Sequence, residues 1–183
     1  MALAQGKVRI IGGQWRSRMI TFPDQTDLRP TPDRVRETVF NWLGQDLSGM
    51  HCLDLFAGSG VLGFEAASRG ANHVVMVESD PKVLKALREN QEKLNATQIE
   101  LIKMNALQFI VTDSRRFDII FLDPPYRQEL LPELLPALSA RLNHNGRIYI
   151  ETGEAWAPDP QWHVKRSGKA GKVFYQLLEL ANG

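Results

Sequence analysis

Asp123-Pro124-Pro125-Tyr126, directly after the apolar run Phe117-Asp118-Ile119-Ile120-Phe121-Leu122, is the most chemically specific stretch of the chain. An exocyclic amine on an aromatic ring is a weak nucleophile because its lone pair is delocalised into the ring. The Asp123 carboxylate can accept one N–H hydrogen bond and the Pro124 carbonyl another, which favours a pyramidal nitrogen whose lone pair is free to attack. The two prolines fix the backbone that aims the carbonyl, and Tyr126 offers a face on which a base can stack. A strand that merely stops needs no such ordered set of an acid, two prolines and an aromatic.

A second set lies upstream, where Leu53-Asp54-Leu55-Phe56-Ala57-Gly58-Ser59-Gly60 runs into Val61-Leu62-Gly63. Gly58, Gly60 and Gly63 have the spacing of a dinucleotide-binding fingerprint, in which missing side chains let the backbone turn tightly and approach a ligand. Alone this is a weak signal, since many strand-to-helix turns use glycine. Glu78 closes the next strand about twenty residues further on, where an acid grips ribose hydroxyls. The combination admits a nicotinamide dinucleotide or S-adenosyl-L-methionine. Asp54, inside the strand ahead of the glycines, favours the methyl donor, because its carboxylate can hold the loop and face the ligand's amino end.

These residues must be positioned by strands, and the apolar runs supply them. Strands are expected at His51–Leu55, His73–Val77, Ile99–Ile102, Phe117–Leu122 and Arg147–Ile150, with helices at Val61–Ser68, Pro81–Leu94 and Leu130–Leu142. Strands alternating with helices predict an α/β fold with a doubly wound, mostly parallel sheet, whose ligands bind outside the carboxyl ends of the strands. Trp162–Arg166 and Val173–Leu180 read as a closing antiparallel pair around 167–172. At the other end, Val8–Ile11 and Trp15–Phe22 read as an N-terminal β-hairpin turning at Gly12-Gly13. A helix then starts at Thr31-Pro32-Asp33, with Thr31 as N-cap and Pro32 as first helical residue, and buries Val35, Val39, Trp42 and Leu43. Two units follow: residues 1–28, a basic hairpin extension, and residues 29–183, the main domain.

Composition narrows the class. The 183 residues suffice for one core, and 43% hydrophobic with 23% charged residues is a soluble globular mix. No apolar run approaches the roughly 20 residues of a membrane helix, and Met1–Lys7 has no secretory pattern, so a cytoplasmic protein is expected. The lone Cys52 sits in an apolar strand and reads as a packing residue. His51, His73, His144 and His163 show no ligand spacing beside it, so no metal is implied. Net charge is only +1, yet both ends are locally basic: Lys7, Arg9, Arg16 and Arg18 near the start, and Lys165, Arg166, Lys169 and Lys172 near the end, without acids between them.

Asp54 to Gly63, Glu78 and Asp123 to Tyr126 resemble the class I methyltransferases that act on amino nitrogens. More narrowly, Arg9-Ile10-Ile11-Gly12-Gly13, Arg16-Ser17-Arg18, Arg29-Pro30-Thr31 and the run Asp33 to Leu43 resemble the ribosomal small subunit methyltransferase D family. The likeness is strong in the first half and weak after Glu151, and Ser17 stands where that family often has glycine. The resemblance implies N2 methylation of one guanine of 16S ribosomal RNA, guanine 966, with RNA met as part of a small-subunit particle. It implies that Asp54, Ala57, Gly58, Ser59, Gly60 and Gly63 surround the methionine part of the cofactor, with Phe56 open between facing the cofactor and packing in the core. Glu78 and Ser79 would take the ribose, and Asn105 and Ala106 would flank the adenine. Asp123, Pro124, Pro125 and Tyr126 form the catalytic set. Arg9, Arg16, Arg18, Arg34 and Lys169 are the candidate RNA contacts, while Thr31 and Arg34 stand open between cofactor carboxylate and RNA.

Four other readings compete. The tetrapeptide serves an N6-adenine methyltransferase on DNA or RNA equally well, and product analysis separates the two. A glutamine methyltransferase usually has Asn in place of Asp123. A nicotinamide-dependent oxidoreductase would bind NAD(H), and a non-enzymatic RNA-binding assembly factor would bind without turnover.

Overall fold

The structure, a computed structural model, describes residues 4–25, 28–125 and 130–182. Seven strands form the main sheet: β3 (His51–Asp54), β4 (His73–Glu78), β5 (Ile99–Lys103), β6 (Phe117–Leu122), β7 (Leu142–Thr152), β8 (Trp162–Ala170) and β9 (Val173–Leu180). Their order is β5-β4-β3-β6-β7-β9-β8, parallel from β5 to β7, with β9 antiparallel between β7 and β8. Strand order reverses at β3 and β6, so the carboxyl ends of these neighbours open the crevice where a doubly wound sheet takes its ligand. This is the expected fold. The central strands carry continuous apolar runs because both faces are covered.

The helices are α1 (Asp33–Leu43), α2 (Val61–Ser68), α3 (Pro81–Leu94), α4 (Ala106–Thr112) and α5 (Leu131–Leu138). Each crossover helix starts at the carboxyl end of the sheet and ends at the amino end. Pro81 opens α3 harmlessly, and the Asp80 side chain accepts from the Lys82 and Val83 N–H groups as its cap. Core residues sit on both faces: Phe40, Phe64, Met76 and Phe121 on one, Leu53, Val75, Ile120 and Leu134 on the other.

Several elements differ from expectation, among them the first hairpin strand, which spans Gln5–Arg9 rather than Val8–Ile11, and β8, which runs on to Ala170. Pro32, in extended conformation, is the N-cap of α1 and Asp33 its first residue; the Thr31 hydroxyl caps nothing because it donates elsewhere. The helix after β6 ends at Leu138 and a short 3-10 turn follows, because Leu142 to Gly146 extends β7 along β6. α4 was not foreseen, its seven residues being too few for a clear period. The second hairpin strand starts at Met19 rather than Trp15, leaving Trp15 to Arg18 in tight turns.

The hairpin pairs β1 (Gln5–Arg9) with β2 (Met19–Pro23) in its own antiparallel sheet. Its apolar side chains Val8, Ile10, Ile20 and Phe22, with Trp15 from the connecting loop, join the main core rather than forming another. Asn90 of α3 pins β2 by accepting from the Thr21 N–H and donating to its carbonyl. The loop is seated against the end of α2, with Gln14 N–H donating to the Ser68 carbonyl and Trp15 N–H to the Ser68 hydroxyl. At Gly13 (φ +76°) a Cβ would lie 2.0 Å from the Ser68 carbonyl oxygen, so the Gly12-Gly13 pair serves close packing. Ser17 holds φ +72°, a left-handed conformation that glycine takes without strain. Among the described residues no helix is long and apolar enough to cross a membrane.

Candidate active site

The glycine loop is bound to the strands on either side of it. Ala57 N–H donates to the Val77 carbonyl, and Gly60, at φ +81°, donates to Ala57 and starts α2. The Glu78 carboxylate accepts from Gly58 N–H at 3.0 Å and from Asp80 N–H at 3.1 Å. That fixes the acid at the lip of the crevice, with lone pairs left for a diol. Asp54, 2% exposed, accepts from Gly63 N–H at 3.0 Å. A Cβ on Gly63 would stand 3.1 Å from that carboxylate and 3.0 Å from Met76, so the third glycine makes room for Asp54. Phe56 is half-buried and packs on the core, Ser59 is buried, and Ser79 is exposed beside Glu78. Across the crevice, the exposed Asn105 caps α4 by accepting from Leu107 N–H, with Ala106 buried behind it.

Asp123 lies just past the end of β6 and Glu151 near the end of β7, its parallel neighbour. The register of β6 on β7 sets Leu122 beside Ile150, so the carboxyl groups of Asp123 and Glu151 come within reach of each other at the strand ends. Burial first, then the Glu151 carboxyl, then Asp54 drive the Asp123 carboxyl well above the usual carboxylate range. Asp54 is pushed up to about 8, mainly by burial, with Glu78 and Glu151 adding and the Gly63 N–H opposing. Glu151 is 2% exposed; its Oε2 accepts from the Thr31 hydroxyl at 3.1 Å, and its Oε1 has no donor. Among the described residues no cation pairs with Asp54, Asp123 or Glu151. Such a set is a poor foundation for a fold and a good one for a ligand that brings positive charge.

Not every candidate converges here. Pro124 is buried and Pro125 exposed beside Asp123, while Tyr126 lies outside the described residues. Arg34 is exposed on the first turn of α1, and Lys169 is exposed on β8 with its ammonium 4.9 Å from the Phe174 ring centre. Arg9 pairs loosely with Asp33 at 3.4 Å. Arg16 and Arg18 lie in the loop seated on the ends of α2 and α3, at the amino end of the sheet, opposite the crevice. Sequence reasoning missed Glu151, although an acid ending an apolar strand next to the Asp123 strand was the signal available. It left Thr31 open, and the structure ties that side chain to Glu151.

The model of the family described as Conserved hypothetical protein 95 matches residues 8–179. The chain belongs to this family. It is 41% identical to the Ribosomal RNA small subunit methyltransferase D of Escherichia coli K12, over 95% of this chain and 90% of that one. Identity to the Haemophilus influenzae protein of the same name is 39%, over 96% and 95%. Among solved structures, a methyltransferase from Escherichia coli superposes with a TM-score of 0.86 at 40% identity, covering 96% of this chain and 98% of that one. A methylase from Haemophilus influenzae gives 0.80 at 38%, covering 94% and 98%. The family member described here is therefore a methyltransferase, for which the sequence motifs give S-adenosyl-L-methionine as the expected donor. The buried acids without cations and the open glycine loop fit that group, whose amino end and sulfonium are both positive.

Proposed function

We propose that this enzyme methylates the N2 amine of a guanine in 16S ribosomal RNA, guanine 966 by family resemblance, within a small-subunit particle. One observation carries the reading: Asp123 and the Pro124 carbonyl stand at the carboxyl end of β6, beside the glycine loop after β3, where an amine and a methyl donor can meet. Asp54 and the Gly58–Gly63 turn hold the donor's methionine part, Glu78 and Ser79 its ribose, and Asn105 and Ala106 its adenine edge. When bound, the donor supplies an electrophilic methyl group whose bond to sulfur breaks with the electron pair left on sulfur. The chain's own work is placement. Asp123 accepts one amine N–H, the Pro124 carbonyl accepts the other, and the proline pair keeps both acceptors in register; holding reactants in line supplies several kcal/mol of the barrier.

Residues 1–28 act in this proposal as an RNA-contacting extension, with Arg34 near the crevice and Lys169 further along the sheet on the β8 edge as additional contacts. The rRNA reading draws support from the 41% and 39% identical relatives named for it. The deciding experiment is nucleoside mass spectrometry of 16S rRNA from cells with and without this gene. N2-methylguanosine is expected to vanish from one site and return on incubation of the deficient particle with enzyme and donor. Loss of N6-methyladenosine instead would transfer the same geometry to adenine.

A further inference from the structure

We propose that Asp123 and Glu151 share a single proton, so that Glu151 positions Asp123 and the pair as a unit receives the proton that the methylated amine must lose. This rests on the amine-methylating role given to Asp123 above, and it adds a residue that role did not contain.

The geometry leads. Glu151 is one of nine buried polar or charged side chains among the described residues. Its Oε2 is satisfied by Thr31, but Oε1 is shielded from water without any donor, on the carboxyl group that faces Asp123. With Glu151 buried, Asp123 half-buried against it and no cation beside either among the described residues, two ionised carboxylates would repel each other; one proton between them removes the repulsion and gives Oε1 its partner. The remaining groups that face the pair are occupied: Asp54, itself pushed up to about 8, holds its own proton at neutral pH and accepts from Gly63 N–H, with Glu78 beyond it. Thr31, fixed just before α1, already donates to Oε2. The pair thus carries one negative charge, and the bridging proton leaves the other oxygen of Asp123 as a fixed acceptor for the amine.

The reaction then balances. The amine lone pair forms the new bond to carbon as the sulfur–carbon bond breaks, leaving the nitrogen positive with its two hydrogens. One of them passes to the free oxygen of Asp123, the nitrogen keeps the bonding electrons, and the pair becomes a neutral diacid. Opening of the crevice returns that proton to water.

Two measurements test the pair. Infrared difference spectroscopy at neutral pH should show one protonated carboxyl lost in Glu151→Gln, one lost in Asp123→Asn, and still only one lost in the double variant, because the removed proton is the same. No loss, or two losses in the double variant, overturns the shared proton. Single-turnover kinetics should show Glu151→Gln, whose amide still accepts from Thr31, binding S-adenosyl-L-methionine within threefold of the parent but reacting tenfold to a hundredfold more slowly. Its rate profile should lack the alkaline fall that the parent shows as the bridging proton leaves. An unchanged rate and profile would make Glu151 a structural acid only. If Glu151→Gln does not fold, the spectrum of Asp123→Asn alone decides: no protonated carboxyl lost there overturns the proposal. A product other than N2-methylguanosine with the spectroscopic result intact would refute the substrate reading and leave the pair standing.

Discussion

Two clusters of buried charge, one on each side of α1's first turns, obey opposite rules. Around Glu65 every charge is matched: Arg36 and Glu65 are both fully buried and 2.8 Å apart, and Arg69 reaches the other Glu65 oxygen at 3.2 Å. The rest of Arg36 is used up by the Thr31 and Arg9 carbonyls and by Asp33, and Ile11 N–H donates to Glu65. This network ties hairpin, α1 and α2 together. Around Asp123 there are three acids and, among the described residues, no cation paired with them. A buried charge that is paired costs little to keep, whereas a cluster of one sign persists only where a ligand or a proton completes it. The same chain therefore shows which buried charges serve the fold and which serve the chemistry.

The largest expected effect breaks the first cluster. Glu65→Ala leaves Arg69 without a carboxylate and Arg36 with only the exposed Asp33, and should lower unfolding free energy by about 3–5 kcal/mol, read by urea denaturation. Asp123→Ala should act the other way round, leaving stability nearly unchanged while single-turnover rate falls about a hundredfold, equivalent to about 2.7 kcal/mol. Calorimetry should find its cofactor affinity close to the parent's; lost binding with intact chemistry on bound cofactor would remove Asp123 from the amine site.

Asp54 sharpens the comparison through pH. Burial holds its carboxyl at about 8, well above the ordinary aspartate value of about 4, so the folded apo protein holds this proton more tightly than the unfolded chain does. The stabilisation is fully present below about pH 4 and is lost as pH rises to about 8. Asp54→Asn keeps an oxygen for Gly63 N–H and cannot ionise. Relative to the parent, the variant's apo form should gain on the order of 2 kcal/mol at pH 8 to 9, with a flatter profile of Tm against pH. Its affinity for the donor should fall. Glu78→Ala comes next, weakening donor binding about tenfold through loss of the ribose contact while RNA affinity holds.

The parallel sheet, its order of elements and the crevice were legible because buried central strands are written as continuous apolar runs, and because glycines and prolines punctuate them. Gly58, Gly63 and Glu78 were legible for the same reason, since backbone demands restrict residue type. Glu151 and the Glu65 network were not, because partnership between side chains on α1, α2 and distant strands leaves no spacing in sequence. Thr31 shows the limit sharply: its type and place before a proline suit a helix cap, yet a buried acid 120 positions away outbids the helix for its hydroxyl.

The smallest expected effect concerns Arg16 and Arg18, and it asks how far the chemistry's side of the molecule extends. Both are exposed in the loop at the amino end of the sheet, whereas Arg34 stands by the mouth of the crevice and Lys169 on the β8 edge of the sheet. An RNA held only at the crevice would feel Arg34 and Lys169 but not the loop. A particle-sized substrate lying along the hairpin would feel all four, because each phosphate neutralised releases counterions. Arg16→Ala with Arg18→Ala is expected to weaken RNA binding and flatten the dependence of log affinity on log salt by about one to two units. Donor affinity should be unchanged, and stability should fall by less than about 0.5 kcal/mol, since Arg18 makes only a long contact of 3.5 Å to the Lys93 carbonyl. Arg34→Ala with Lys169→Ala supplies the reference slope for contacts around the crevice. A normal slope in the loop variant beside a flattened one in the reference would confine the RNA to the carboxyl end of the sheet, and would leave the hairpin's purpose as the packing that Gly12, Gly13 and Trp15 already show.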